Sequence, residues 1–446
     1  MDADTVRLRI RSAPSAAAAP AGIDRLLDWA PGRREATIEF TTGFFTDWTP
    51  TTIGIELLRF AAGVYCGDRT VPREPQIDGW TRTLHVDVPA SDPGAWEQAE
   101  WAGTLGFLTG DRWHIRPRRT RRIISEPAGL DVDAVSLFSG GLDSLCGVID
   151  LLEEDPERRL LLVGHHEGGQ ASTAQRDLHA ALVDVYGQRV QLRRLFCRPA
   201  PPDETQTQPL PTERERTTRS RSLLFITAAL AAASAAGPDV PVYVPENGWI
   251  GLNVPLTRAR TGSASTRTTH PHFVALLTGS CRALGLSNPI INPYRLQTKG
   301  EMLAACRNPR LLAKLAPSSV SCAHPETPRW RDRKQGNCGY CLPCLVRRAA
   351  LRRIRRDLPD QYAWDALSDA GLLDPAERTG ADLRAIVHGV SPHRDELAIM
   401  RNAPLPVGEH QDHLQLWLRG AAEIREWLGG STGKLAQLTT TVWRNR

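Results

Sequence analysis

Between Val135 and Pro293 short apolar runs alternate with helical stretches, and this rhythm constrains the fold more than any other feature of the chain. AVSLF precedes LDSLCGVIDLLEE, RLLLVG precedes a helix through Leu178, Leu182 and Val185, and Val190 to Phe196 precedes an Ala-rich helix from Arg221 to Ala236. Val240 to Val244 and Pro289 to Ile291 complete the series. Strand-length apolar runs separated by helices of this length predict a βαβ order. The expected fold class is therefore α/β, a Rossmann-like doubly wound parallel sheet whose ligands bind beyond the carboxyl ends of its strands.

With 446 residues, three regions are expected: an α+β N-terminal domain over 1–125, the core over 130–350 and a helical C-terminal region over 351–446. The front holds a helix-like stretch from Ile53 to Tyr65, an alternating strand from Thr81 to Val88 and five tryptophans between Trp48 and Trp113. It ends in a basic run, Arg116, Arg118, Arg119, Arg121 and Arg122, read as a solvated linker rather than a nucleic-acid patch. In the C-terminal region Leu414, Trp417, Leu418, Ala421, Ile424 and Leu428 share one helical face, which is expected to pack inward. The Pro- and Thr-rich stretch from Arg198 to Thr217 is either a flap over a site or a surface insertion.

The phosphate-binding candidate is Ser139-Gly140-Gly141-Leu142-Asp143-Ser144, placed between a strand and a helix. A helix start offers unpaired N–H groups and about half a positive charge to an anion. The two glycines let the backbone approach phosphate oxygens, and the serines add hydroxyl donors. Asp143 either caps the helix or holds Mg²⁺. No Walker lysine follows the loop, which argues against γ-phosphoryl transfer and for release of pyrophosphate.

Cys322, Cys338, Cys341 and Cys344 supply the four thiolates that a closed, structural zinc site requires. Such clustering points to a reducing compartment, and the cytoplasm is the expected location; no signal-peptide apolar segment is read at the start. Cys146, Cys197, Cys281 and Cys306 lie in apolar or helical surroundings and are expected in the core. A net charge of +5 suits phosphate-bearing ligands without requiring a nucleic acid.

SGGLDS resembles the hallmark loop of the PP-loop (N-type) ATP pyrophosphatases, and together with Cys322…Cys338-Gly-x-Cys-x-x-Cys344 and Arg347 it is similar to the 7-cyano-7-deazaguanine synthase (QueC-like) family. Lys299-Gly-Glu301-Met302 resembles that family's TKxE segment and Gly169-Gln170 its YGQ. The likeness covers about residues 133 to 350. It implies an ATP-dependent carboxylate–amine ligase using Mg²⁺: a 7-deazaguanine carboxylate is adenylated, pyrophosphate leaves, and an amine displaces AMP. It also implies roles for Ser139, Gly140, Gly141, Leu142, Asp143, Ser144 and Gln170 around ATP. Lys299 is then a phosphate or carboxylate partner, or else an ordinary surface lysine. Arg219-Ser220-Arg221 resembles the arginine clamp of many PP-loop enzymes, because arginines at a helix start oppose its dipole unless they hold an anion.

The family's substrate segment after the fourth strand is replaced here by Glu246-Asn247-Gly248 and by Thr266-Arg267-Thr268-Thr269-His270-Pro271, which leaves the substrate open. The front segments Val64-Tyr65-Cys66-Gly67-Asp68-Arg69 and Phe107-Leu108-Thr109-Gly110-Asp111-Arg112-Trp113 resemble the enlarged QueC-like proteins of Qat-type anti-phage systems. That resemblance implies protein partners from a defence operon. The alternatives are queuosine-type nitrile synthesis, a tRNA thiolase, which would need a persulfide cysteine or an iron–sulfur cluster, and a non-enzymatic nucleic-acid-binding module.

Overall fold

The computed structural model describes residues 5–17, 19–120, 126–257, 267–401 and 403–444; Arg121, Arg122 and Thr266 lie outside them. Ten strands occur among these residues: β1 (Thr5–Arg11), β2 (Arg25–Asp28), β3 (Ile38–Phe40), β4 (Thr83–Ala90), β5 (Arg112–Arg119), β6 (Ala134–Leu137), β7 (Leu160–His166), β8 (Val190–Pro199), β9 (Val242–Tyr243) and β10 (Ile290–Ile291). They form a six-stranded sheet of order β10-β9-β6-β7-β8-β3 and a four-stranded sheet of order β2-β1-β4-β5.

In the larger sheet every neighbouring pair is parallel except β3 with β8. Alternate residues feed opposite cores: Leu160 and Leu162 pack with the Leu142–Glu154 and Gly169–Tyr186 helices, whereas Leu161 and Val163 pack with the Arg221–Ala236 helix. Burial on both faces is what near-continuous apolar strands require. Order reverses between β6 and β9, which opens a crevice at their carboxyl ends. In the Gly169–Tyr186 helix Leu178 and Leu182 are buried, but Val185 is half exposed.

The front departs from an α+β layout: the four strands of its own sheet are all parallel. It also contributes to the core. β3 leaves it to pair antiparallel with β8, and the Thr52–Thr70 helix lies in one hydrophobic core with the Arg221–Ala236 helix. Asp68 and Asp111, from the two front motifs, meet in a buried ion network: Arg73 pairs with Asp111 at 2.7 Å, and Arg82 pairs with both carboxylates. Asp68 also accepts from the Ser220 backbone N–H and hydroxyl at 3.1 and 2.6 Å, capping the entry to the Arg221–Ala236 helix. Removing one partner of such a pair leaves an uncompensated buried charge, worth about 3–5 kcal/mol.

Arg116, Arg118 and Arg119 belong to β5 rather than to a linker. A strand forms there because Trp113 and Ile115 alternate with the arginines and turn inward, Trp113 being buried. The Arg198–Thr217 stretch is neither a flap nor a loose insertion. Gln206 donates to the Ala36 carbonyl, Thr207 to that of Ser15, and the Glu215 carboxylate accepts from the Arg73 N–H, so it straps the front to the core. In the C-terminal region Leu414, Trp417, Ala421, Ile424 and Leu428 are buried with the cysteine cluster in one core, and Leu418 packs against it.

Candidate active site and metal centre

β6 ends at Leu137 and the next helix begins at Leu142, so Phe138 to Gly141 make the whole turn. Gly140 has φ +78°, and a Cβ there would come 3.1 Å from the Ala171 carbonyl oxygen and the Gln175 nitrogen. Only glycine suits both the dihedral and the contact. Serine hydroxyls hold the loop's amides: Gly141 N–H donates to Ser139 Oγ at 3.2 Å and Leu142 N–H to Ser321 Oγ at 3.1 Å. Ser144 Oγ donates to the Gly141 carbonyl at 3.0 Å and lies 3.2 Å from Ser139 Oγ.

Asp143 in the first helical turn faces across the crevice. Its Oδ2 accepts from Asn247, through the backbone N–H at 3.0 Å and the side-chain amide at 2.8 Å; its Oδ1 pairs with Lys299 Nζ at 2.7 Å. Lys299 is 6% exposed and so is no surface lysine. It starts the Lys299–Ala304 helix, where a cation opposes the dipole and needs a counter-charge. A capping box from Thr298 and Glu301 sets that helix start. The Glu423 carboxylate, from the His410–Leu428 helix, accepts from the Thr298 hydroxyl at 2.8 Å and the Gly300 N–H at 3.0 Å. The C-terminal region thus helps to place Lys299.

Glu246, just after β9, accepts from the Thr269 hydroxyl. Burial lifts its carboxyl to about 7; the Thr269 bond and Lys299 oppose that shift, and the neighbouring Asp143 charge adds to it. Two carboxyls in one crevice, one ion-paired and one titrating near neutrality, can separate an electrostatic role from a proton-transfer role.

The Arg221 guanidinium donates to His165 Nδ1 at 2.9 Å and to the His165 carbonyl at 3.3 Å. Burial, then the Arg221 charge, holds the His165 imidazole well below its usual range. Arg219 stacks 4.4 Å from the Trp80 ring centroid, and burial beside Arg73 and Arg267 pushes it down to about 10. The arginines expected to form a clamp thus engage Trp80 and His165, the latter at the carboxyl end of β7 beside β6. Gln170 sits in the first turn of the helix that touches Gly140, but its N–H donates to Glu326 at 2.7 Å and its amide to Gln335 at 2.7 Å.

Sγ atoms of Cys322, Cys338, Cys341 and Cys344 all lie within 4.8 Å of one another, and the group could hold a metal such as zinc. The backbone already favours thiolates here: the N–H groups of His324 and Cys338 point at Cys322 Sγ at 3.2 and 3.3 Å, and that of Cys341 at Cys338 Sγ at 3.4 Å. Bonds from the other three thiols, Cys338 first, hold the Cys322 thiol far below its usual range. Cys146, Cys197, Cys281 and Cys306 are all buried, as expected, and burial alone pushes Cys281 up to about 12. Cys146 and Cys306 also group with Asp150, where the bond to Cys306 and then burial keep Cys146 protonated.

Ser321 and Arg347 tie the metal centre to the loop. Ser321, next to Cys322, holds Leu142 N–H; Arg347, 1% exposed, donates to Ser319 Oγ at 2.6 Å and to the Ala316 carbonyl at 2.6 Å. No local pattern marks Ser321 as a support for the loop. Glu246 stands out in the sequence only as a departure from a family pattern, although its place after the strand across the order reversal is a usable signal. Among the described residues no helix is long and apolar enough to cross a membrane. Compared with family models and with curated proteins, the chain matches none of them.

Proposed function

We propose that this chain is an ATP-dependent carboxylate–amine ligase of the PP-loop type, which adenylates a 7-deazaguanine carboxylate or a related acid and passes the acyl group to an amine. The observation that carries the reading is the convergence, at the order reversal of a parallel sheet, of the glycine–serine loop with the Asp143–Lys299 pair.

In this reading the loop amides exchange their serine acceptors for oxygens of the β- and γ-phosphates, on the axis of the Leu142–Glu154 helix. Both Asp143 oxygens are engaged by Lys299 and Asn247. A polyphosphate would draw Lys299 off Asp143 and free that carboxylate for Mg²⁺, which supplies charge neutralisation at the phosphates. The substrate carboxylate oxygen then bonds to the α-phosphorus as the bond to pyrophosphate breaks. An amine attacks the acyl carbon, the C–O bond to AMP breaks, and Glu246, titrating near neutrality, takes the amine proton. The zinc expected at the four cysteines has no open position and serves the fold.

The amine is ammonia or, as the front motifs suggest by resemblance, the N-terminus of a protein from an anti-phage operon. An α-amine with an ordinary pKa of about 7.7–8.0 is substantially uncharged near neutrality. A tRNA thiolase would need an accessible nucleophilic cysteine, and the buried, protonated state of Cys146 speaks against it. Incubation with ATP and 7-carboxy-7-deazaguanine, with ammonia or with candidate protein acceptors, followed by mass spectrometry, tests the proposal. Amide, nitrile or protein conjugate supports it; unreacted acid under every condition overturns it.

A further inference from the structure

Over β1, β4 and β5 the front sheet breaks a rule that the core sheet obeys; over β2 the same face is covered, Leu26 and Asp28 being buried. Parallel sheets are almost always covered on both faces. Here the Thr52–Thr70, Pro93–Gln98 and Trp101–Thr109 helices share one core with Leu8, Ile10, Leu84, Val86, Val88 and Trp113, all from one face. On the other face the strand register places Arg7 beside His85 and His85 beside His114, Arg9 beside Asp87 and Asp87 beside Arg116, and Thr83 beside Arg112. Arg112, His114 and Arg116 are exposed, and Arg7 and His85 half-buried. The His85 and His114 rings lie 4.3 Å apart between centroids, tilted by 31°.

Neutralisation of this face is partial. Asp87 pairs with Arg9 and Asp28 with Arg11. Among the described residues Arg7, Arg112 and Arg116 have no acidic partner. Arg118 has its pKa lowered by burial and then by the nearby Arg9 charge, so like charges are crowded here. Edge protection accounts for charge on β5 alone. It does not account for Arg7 on β1, which carries the positive face into the sheet interior.

We infer that this open face binds the phosphodiester backbone of a nucleic acid without reading its sequence. The cations on it are arginines, since burial and then the His114 and Arg7 charges lower the His85 pKa, and the guanidinium fork matches phosphate oxygens where lysine offers a point charge. Alternate strand residues stand about 6.6 Å apart, so Arg112 and Arg116 present two donors on one side of β5. A lipid surface is a poorer fit, because the exposed large hydrophobics Ile77, Val185, Ile291, Leu358, Leu397 and Val407 all lie off this sheet. The inference stands apart from the proposed ligase chemistry, since no residue on this face belongs to the core crevice.

The test is fluorescence anisotropy of the full chain with labelled duplex DNA, single-stranded DNA and an RNA hairpin across a salt series, against Arg112→Gln/Arg116→Gln and an Arg34→Gln/Arg307→Gln control. The wild type should bind at low salt, with log affinity falling linearly against log salt. The sheet variant should weaken binding by on the order of tenfold and reduce the slope by about 2, and the control should change neither. The three probes show which nucleic acid fits best. Absence of binding at low salt, equal losses in variant and control, or equal displacement by polyglutamate would overturn the inference. Unchanged thermal melting of the sheet variant, expected for exposed side chains, keeps a loss of binding from being a loss of fold.

Discussion

Two parallel sheets in this chain reverse their strand order, one between β6 and β9 and the other between β1 and β4, yet only the first builds a crevice with chemistry in it. The difference lies in the segment that leaves the first strand of each sheet. After β6 four residues lead directly into a helix, whose N–H groups face the opening. After β1 the described residues between Ser12 and Asp24 form no helix, and the helix that follows β4, Pro93–Gln98, opens on a proline and has its Gly94 and Ala95 N–H groups held by the Asp92 carboxylate. Sheet order provides the position for a site, and the strand–loop–helix joint provides the site itself. The front sheet instead invests its charge in a buried network and an open face.

The sharpest way to break this contrast is through the metal centre. Chelation, or Cys341→Ser, should destabilise the C-terminal unit by on the order of 10 kcal/mol, read as loss of protection from proteolysis after Val320. Because Ser321 holds the loop, ATP turnover should fall with it. Intact turnover in a metal-free chain would show that loop and metal centre are independent.

Next come two buried carboxylates compared directly. Asp68→Ala in the front leaves Arg73 and Arg82 to share Asp111, and Asp143→Ala in the crevice strands Lys299, so each leaves one buried positive charge uncompensated and should cost about 3–5 kcal/mol in a denaturant melt. Only Asp143→Ala should abolish pyrophosphate release under conditions where both variants are folded. Equal loss of activity would erase the distinction between the sheets.

How much of this was legible divides along the same line. The β6–loop–helix joint and the cysteine cluster are local patterns, in which spacing alone sets geometry, and both lie where the sequence placed them. Lys299 meets Asp143 from a distant part of the chain, and no local period reveals such a contact; only the resemblance pointed there. The parallel front sheet was hidden because β1 and the four-residue β2 are joined without a helix, so the βαβ signal is missing there. The contacts of Arg219 and Arg221 were hidden for a related reason: Trp80 and His165, brought in by the fold, stack on and hydrogen-bond to them.

Smaller effects sharpen the picture of the crevice. With Glu246 lifted to about 7 when folded and near 4.3 when unfolded, its stabilising contribution is full below about pH 4.3 and lost as pH rises through 7. Glu246→Gln should flatten the melting-temperature profile over that window and remove a limb near pH 7 from the pH–rate curve of amine transfer. A profile unchanged in both respects would take Glu246 out of the chemistry. Gly140→Ala is milder: a side chain at φ +78° costs about 1–2 kcal/mol, with a matching rise in KM for ATP. An alanine variant with wild-type KM would mean that the loop does not cradle phosphate.

The central claim, that the core crevice splits ATP between its α- and β-phosphates, is met most directly by phosphorus NMR of the products formed from ATP and a carboxylate substrate. AMP and pyrophosphate in equal amounts, both abolished by Asp143→Ala, are the result expected here. ADP with inorganic phosphate as the sole products would contradict it.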